Sequence, residues 1–310
     1  MTTIPGTDLD VSALCLGGNV FGWTADAHQS HAVLDAFREA GGTFIDTADV
    51  YSQWGPGHVG GESESVIGSW LAKQGRRDDV LIATKVAKLS TARGLSAGTI
   101  RRAAEDSLRR LQTDHIDLYY AHEDDPSVPL EETLGAFDEL VRSGKVRAIG
   151  ASNFTAPRLI EALRASDGAG YARYVAVQDH YNLLERDGYE GAYADVVARE
   201  GLASFPYYGL AAGFLTGKYR PGAEVQSARS GGARRYLDDP RTPGLLSTLD
   251  EVAAGHGTSV AAVALAWLRA QPTVTAPIAS ARTPQQLADI VPALTLELDD
   301  VELKALREAW

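Results

Sequence analysis

The chain has 310 residues, 45% apolar and 23% charged, with 41 acidic against 29 basic side chains and a formal charge of −12. That composition belongs to a folded globular protein and excludes a disordered tail or linker, while the acidic balance argues against nucleic acid and anionic membrane surfaces as partners. A lone cysteine, Cys15, excludes an internal disulfide and a cysteine-rich zinc site, and fits a reducing compartment.

The N-terminus, MTTIPGTDLDVS, lacks the cationic start and apolar run of an export signal, and no apolar stretch approaches the roughly 18 residues of a membrane span. A cytoplasmic protein is expected. VSALCLG (11–17) reads as a first strand, followed by helical HAVLDAFREA and strand TFID (43–46). The alternation continues through SESVIGSWLAKQ, VLIATK (80–85), TIRRAAEDSLRRL, IDLYYAH (116–122), LEETLGAFDELVRS and VRAIGAS (146–152). It runs on through APRLIEALRAS, YVAVQ (174–178), DGYEGAYADVVARE and LASFPY (202–207). A stretch rich in Gly, Pro, Arg and Ser (220–243) reads as an ordered or ligand-gated loop, its Arg229, Arg234 and Arg235 either a solvated patch or an anion clamp. Helices resume in STLDEVAAGHG and SVAAVALAWLRAQ before strand VTAPIAS (274–280).

The longer segments place apolar residues at helical spacing and the shorter ones are β-rich. Such alternation requires parallel strands with helices outside, as an open doubly wound sheet or a closed barrel, and a count of about eight strands favours the barrel. No domain boundary is visible, so residues 1–310 are expected to form a single (β/α)8 domain with long βα loops.

Several motifs fail on context. GPGHVG (55–60) matches the dinucleotide pattern G-x-G-x-x-G, but no buried strand precedes it and Pro56 occupies the turn; it reads as a flexible loop. GFLTGKY (213–219) has three residues between its glycines where a P-loop has four, and Tyr219 where magnesium needs Ser or Thr. His28 and His31 lie about one helical turn apart without a third metal ligand nearby, and read as an exposed helix start. Asn153-Phe154-Thr155 fits the glycosylation pattern, with no export route to a glycan.

In a βα barrel, reactive residues gather where the strands end on one face. Asp46 ends TFID, Tyr51 follows in the next loop, Lys85 ends VLIATK and His122 ends IDLYYAH. Each alone has an ordinary structural explanation; together they form an acid site. A phenol has an ordinary pKa near 10, too high for easy proton exchange at neutral pH. A neighbouring ammonium stabilises the phenolate, a carboxylate positions the ammonium, and His122 can orient a carbonyl oxygen.

At this point the chain resembles the aldo-keto reductase superfamily. The motifs are DTADVY (46–51), ATK (83–85), His122 followed by PLEETL (129–134), GASNF (150–154), QDHYNLLER (178–186), GFLTGKYR (213–220) and SARTPQQL (280–287). The long loop after Tyr51 is similar to the branch holding potassium-channel β subunits and many bacterial reductases.

The resemblance implies a barrel binding NADPH across its C-terminal face and a catalytic set of Asp46, Tyr51, Lys85 and His122, with Tyr51 as proton donor. It implies nicotinamide contacts from Ser152, Asn153 and Gln178, a stacking ring at Tyr207, and a pyrophosphate loop of Leu210, Gly213, Gly217 and Lys218. Ser280, Arg282 and Gln286 would meet the adenosine 2′-phosphate, Asp289 the adenine edge, and Arg229 would fold over the same end; Arg282 favours NADP over NAD. Two departures stand out. Asp289-Ile290 replaces the family's frequent Glu-Asn, and Tyr207-Tyr208-Gly209 stands where Tyr-x-Pro is common. Phe21, Trp23 and Trp54 are expected to wall an apolar substrate pocket.

The expected activity is NADPH-dependent reduction of aldehydes or ketones, with a small-molecule carbonyl substrate as partner and no metal. The alternative is a cofactor-sensing module like the channel subunits; a barrel starting near residue 10 without an inactivation-type extension argues against it. A hydrolase using Glu62 and Glu64 or Asp124 and Asp125 is disfavoured, since those acids read as helix-start or solvated charges.

Overall fold

The computed structural model describes residues 1–220, 222 and 230–310. An antiparallel hairpin, β1 (Thr2–Thr3) against β2 (Asp10–Val11), opens the chain. Eight parallel strands follow: β3 (Cys15–Gly17), β4 (Phe44–Asp46), β5 (Leu81–Val86), β6 (Ile116–Ala121), β7 (Val146–Ser152), β8 (Tyr174–Gln178), β9 (Ala203–Ser204) and β10 (Ile278–Ala279). From β3 to β9 they pair in chain order, and β10 returns to pair with β3. Across the remaining seam, Thr275 N–H donates to Ser204 O at 2.8 Å and Ile278 N–H donates to Pro206 O at 2.9 Å. The sheet is thereby closed into the (β/α)8 barrel expected from the alternation.

The expected first strand, 11–17, begins inside the hairpin and is interrupted. Ser12 turns away from the ladder, its hydroxyl donating to Leu14 O at 2.7 Å and accepting from Thr43 N–H at 3.1 Å.

The helices are α1 (Ala27–Glu39), α2 (Glu62–Gln74), α3 (Ala97–Leu111), α4 (Leu130–Arg142), α5 (Ala156–Ala169), α6 (Ala192–Glu200), α7 (Ser230–Arg234), α8 (Thr242–His256), α9 (Val260–Arg269), α10 (Pro284–Ile290) and α11 (Asp300–Glu308). Local chemistry sets their starts. Side chains of Ser96, Thr155, Ser259 and Thr283 accept the orphan N–H groups of α3, α5, α9 and α10, and Asp26 and Asp299 form capping boxes on α1 and α11. His28 and His31 do fall at the start of α1, but His31 is only partly exposed: its Nε2 lies 2.9 Å from Ser69 Oγ and its Nδ1 3.3 Å from Lys73 Nζ, tying α1 to α2.

Two apolar layers result from the period-two alternation of the strands. Cys15, Phe44, Ala83, Leu118, Tyr120, Ala148, Ala176 and Ala203 share one cluster with Phe205, and the hairpin residues Ile4, Leu9 and Val11 join it. This is the barrel interior, where Phe44 and Phe205 meet edge to face at 4.9 Å. Intervening residues such as Ile45, Ile82, Tyr119 and Val177 pack outward with the helices. Gly150 makes room inside, since a Cβ there would stand 2.5 Å from the Tyr120 ring. Two residues beyond Phe44, Ala83, Tyr120 and Ala176 stand Asp46, Lys85, His122 and Gln178. The same alternation therefore delivers all four to the inner face where the strands end.

Candidate active site

Lys85 is completely buried and anchors the site. An ammonium has three N–H donors, and Lys85 uses each: Nζ lies 2.7 Å from the Asp46 carboxylate, 2.7 Å from Thr47 O and 2.9 Å from the Tyr51 hydroxyl. Burial pulls the lysine pKa below its ordinary value, and the adjacent Asp46 charge opposes that pull. Asp46 is itself held across the barrel by Gln178 Nε2 at 2.8 Å. The Tyr51 hydroxyl faces Asp46 Oδ2 at 3.2 Å, long for an O–H···O bond.

His122 stacks its ring edge against Tyr51 with centroids 6.0 Å apart. Burial and then the positive charges of Lys85 and Lys88 push its pKa well below the usual histidine value, so the imidazole is neutral at physiological pH. Its backbone oxygen accepts from Asn153 Nδ2 at 2.9 Å.

These groups lie at one part of a cavity of about 680 Å3. Asp46, Tyr51, His122, Asn153, Gln178, Tyr207, Leu210, Gly213, Lys218, Ser280, Arg282, Gln286, Asp289, Trp23 and Trp54 all line it, so the structure brings together most residues singled out from sequence. Trp23 and Trp54 meet edge to face at 5.7 Å, and Trp54 lies 6.1 Å from Tyr51. One face of Tyr207 stacks on His180 at 5.5 Å and 11°, and its hydroxyl donates to Asn153 Oδ1 at 2.7 Å.

Other expected residues stand elsewhere. Phe21 corrects the pocket reading: it is fully buried in the outer apolar layer, off the cavity wall. The bridge between Phe21 and Ala25 folds that loop inward. Ser152 is buried off the wall, with its hydroxyl accepting from Asn153 Nδ2 at 2.9 Å. Gly217 also lies off it, next to Val260. Asn153 spends its amide on His122 O, Ser152 Oγ and Tyr207 Oη, and its own N–H donates to Asp179 at 3.0 Å. Arg229 lies outside the described residues. Arg235 leaves the anion-clamp reading, because its guanidinium pairs with Glu185 at 2.7 Å.

Sequence reasoning missed Gly17, Asn19, Lys88, Tyr208 and Thr216 on the cavity wall. Asn19 Oδ1 accepts from Ser280 Oγ at 2.7 Å, joining the loops after the first and last barrel strands. Lys88 carried a weak signal, as a second lysine just beyond a strand end. The acids weighed for a hydrolase are engaged elsewhere: Glu64 with Thr84 at 2.5 Å and Arg110 at 2.6 Å, Glu62 with the Val59 and Gly60 N–H groups. Those last bonds give the GPGHVG loop defined internal contacts, and His58 Nδ1 adds one to Ser52 O at 2.9 Å.

At the far part of the cavity, the Arg282 guanidinium makes no ion pair or hydrogen bond among the described residues, while its backbone N–H donates to Gln286 Oε1 at 3.0 Å. The neighbouring loop carries Tyr208, Ala211 and Ala212 at φ 56, 47 and 56, values L residues seldom adopt. No three-residue group of His, Cys, Asp or Glu suited to a metal occurs among the described residues, and none of their helices is long and apolar enough to cross a membrane.

The model of the aldo/keto reductase family matches residues 13–310. The chain belongs to this oxidoreductase family. Among family relatives, the oxidoreductase YrpG of Bacillus subtilis is 37% identical, the match covering 100% of this chain and 95% of YrpG. Norsolorinic acid reductase B of Aspergillus parasiticus is 30% identical over 99% of this chain and 82% of its own. A probable voltage-gated potassium channel β subunit of Arabidopsis thaliana is also 30% identical, over 95% of this chain and 93% of its own. The chain is thus similar both to a named reductase and to a probable channel subunit.

Proposed function

We propose that the protein is an NADPH-dependent reductase of aldehydes or ketones in which Tyr51 is the general acid. The carrying observation is the Lys85 ammonium, saturated by Asp46, Thr47 O and Tyr51 in the cavity floor. Aldo-keto reductases generally use a nicotinamide cofactor, and the cavity fits one. Its wall carries Tyr51 and also Lys218 and the half-buried Arg282, whose guanidinium has no partner among the described residues, a donor set suited to phosphate. Gln178, Asn153 and Tyr207 would hold the nicotinamide, and Leu210, Gly213, Lys218, Ser280, Arg282, Gln286 and Asp289 the remainder. When bound, NADPH supplies a hydride.

The chain's own residues manage the proton. Lys85 stabilises the phenolate that Tyr51 becomes after donating, and Asp46 keeps the ammonium charged against its burial. The Tyr51–Asp46 contact, at 3.2 Å, is long for an O–H···O bond and holds the phenol proton only weakly, and Tyr51 lines the cavity that a carbonyl oxygen would enter. Neutral His122 offers an N–H to the same oxygen without adding a competing acid. The burial of Asp46, Lys85 and His122 strengthens each of these interactions.

The test is NADPH consumption with aromatic aldehydes and diketones. Tyr51→Phe should lower kcat about 10²- to 10⁴-fold while NADPH binding, followed by fluorescence, persists. Undiminished turnover in Tyr51→Phe rejects the assigned acid.

A further inference from the structure

Lys88 stands three residues past Lys85 on the wall of the large cavity, and the proposed reaction has no use for it. The backbone bends sharply to put it there. Buried Ala87 adopts φ 119, a region L residues rarely occupy, and its carbonyl accepts from Gly94 N–H at 2.9 Å. Such a conformation persists where the surroundings over-determine it, and it is commonly retained at binding sites.

The Lys88 ammonium is poorly compensated. Its ion pair among the described residues is with Glu123 at 3.7 Å, beyond hydrogen-bond reach, and the side chain is 32% exposed. Glu123 is also shared with Arg93, at 3.9 Å. Two cations therefore lean loosely on one carboxylate, neither within hydrogen-bond distance of it. Of the acids on the cavity wall, Asp46 is committed to Lys85 and Gln178, and Asp289 belongs to α10 after β10, three strands round the barrel from β5. Lys88 shares the cavity wall with Tyr51 and His122, the carbonyl-binding end. Trp23 and Trp54 supply an aromatic wall at that end.

We infer that Lys88 is a specificity residue that holds a carboxylate on the substrate, so that the preferred substrates are aromatic aldehydes or ketones bearing an anionic group away from the carbonyl. The inference deepens the proposed reductase reading and rests on it for the reaction, though the recognition itself is a binding property. A charge-assisted hydrogen bond at a partly exposed site corresponds to about a tenfold preference.

Two readouts test it. In the first, kcat/KM for 4-carboxybenzaldehyde is divided by that for benzaldehyde. In the second, binding of 4-(hydroxymethyl)benzoate and of benzyl alcohol is measured by tryptophan fluorescence with NADP present. The wild type should favour the carboxylate about tenfold in both, Lys88→Gln should abolish the preference, and Glu123→Gln should enlarge it by freeing the ammonium. A wild type with no preference, or a Lys88→Gln ratio within about twofold of wild type, overturns the inference. Carboxylate-selective binding without turnover of either aldehyde upholds the recognition and sinks the reductase reading.

Discussion

Beneath the Lys85 floor sits a carboxyl group that the chemistry does not use. Asp49 is fully buried, neither of its oxygens has a hydrogen-bond partner among the described residues, and burial followed by the nearby Glu64 charge pushes its pKa up to about 8. The folded state therefore holds a proton that the unfolded state, with an ordinary aspartate pKa near 3.9, has released. Between those two values the folded form binds more protons, so this contribution to stability is lost as pH rises from about 4 to about 8. Asp49→Asn, which cannot ionise, should melt progressively higher than wild type as pH is raised from about 5 to 8. Thermal melts across that range check it, and a variant-minus-wild-type difference that stays flat rejects the buried-acid account. Arg282 yields a second prediction at this scale. Arg282→Ala should weaken NADPH binding about 10- to 100-fold and NADH binding far less. Equal losses for the two cofactors, measured by fluorescence titration, contradict a phosphate-binding role.

Helix packing places its own demands on the sequence. Gly68 lies inside α2, where alanine is ordinarily favoured by about 1 kcal/mol. Here a Cβ would stand 2.1 Å from Arg110 O and 2.7 Å from Leu111 C, both backbone atoms of α3. The close approach lets Arg110 reach back to the buried Glu64 at 2.6 Å. Gly68→Ala should therefore destabilise the protein by about 1–3 kcal/mol, the usual cost of overpacking, in spite of its propensity gain. A urea transition midpoint that rises in the variant contradicts this packing. The loop from Tyr208 to Gly213 shows the opposite economy: it tolerates three L residues at positive φ, and Tyr208, Gly209, Leu210, Ala212 and Gly213 of it line the cavity.

Over the whole molecule, the −12 charge and the cationic cavity have opposite signs. Lys218 and Arg282 on the cavity wall, with Lys88 at its rim, make a local positive field in an acidic protein. Binding of NADPH to the native state should raise the melting temperature, by an amount set by its concentration over its dissociation constant. A thermal shift series with NADPH that moves nothing removes the cofactor from the proposal.

The sequence determined the architecture because its signals are periodic and local. Eight β-rich runs separated by helical spacing permit few arrangements, and period two carries Asp46, Lys85, His122 and Gln178 to one face once the barrel closes. Family motifs made the candidate set legible in the same way. Tertiary structure alone decided what each residue touches. Phe21 and Trp23 are two positions apart in one aromatic loop, yet only Trp23 reaches the cavity. Asn153 was legible as a site residue, but not that its amide is already engaged by His122, Ser152 and Tyr207. Lys88 acquires meaning only from the bend at Ala87 and the loose ion pair with Glu123. Such facts depend on backbone turns and contacts between residues far apart in the chain, and no local period encodes either.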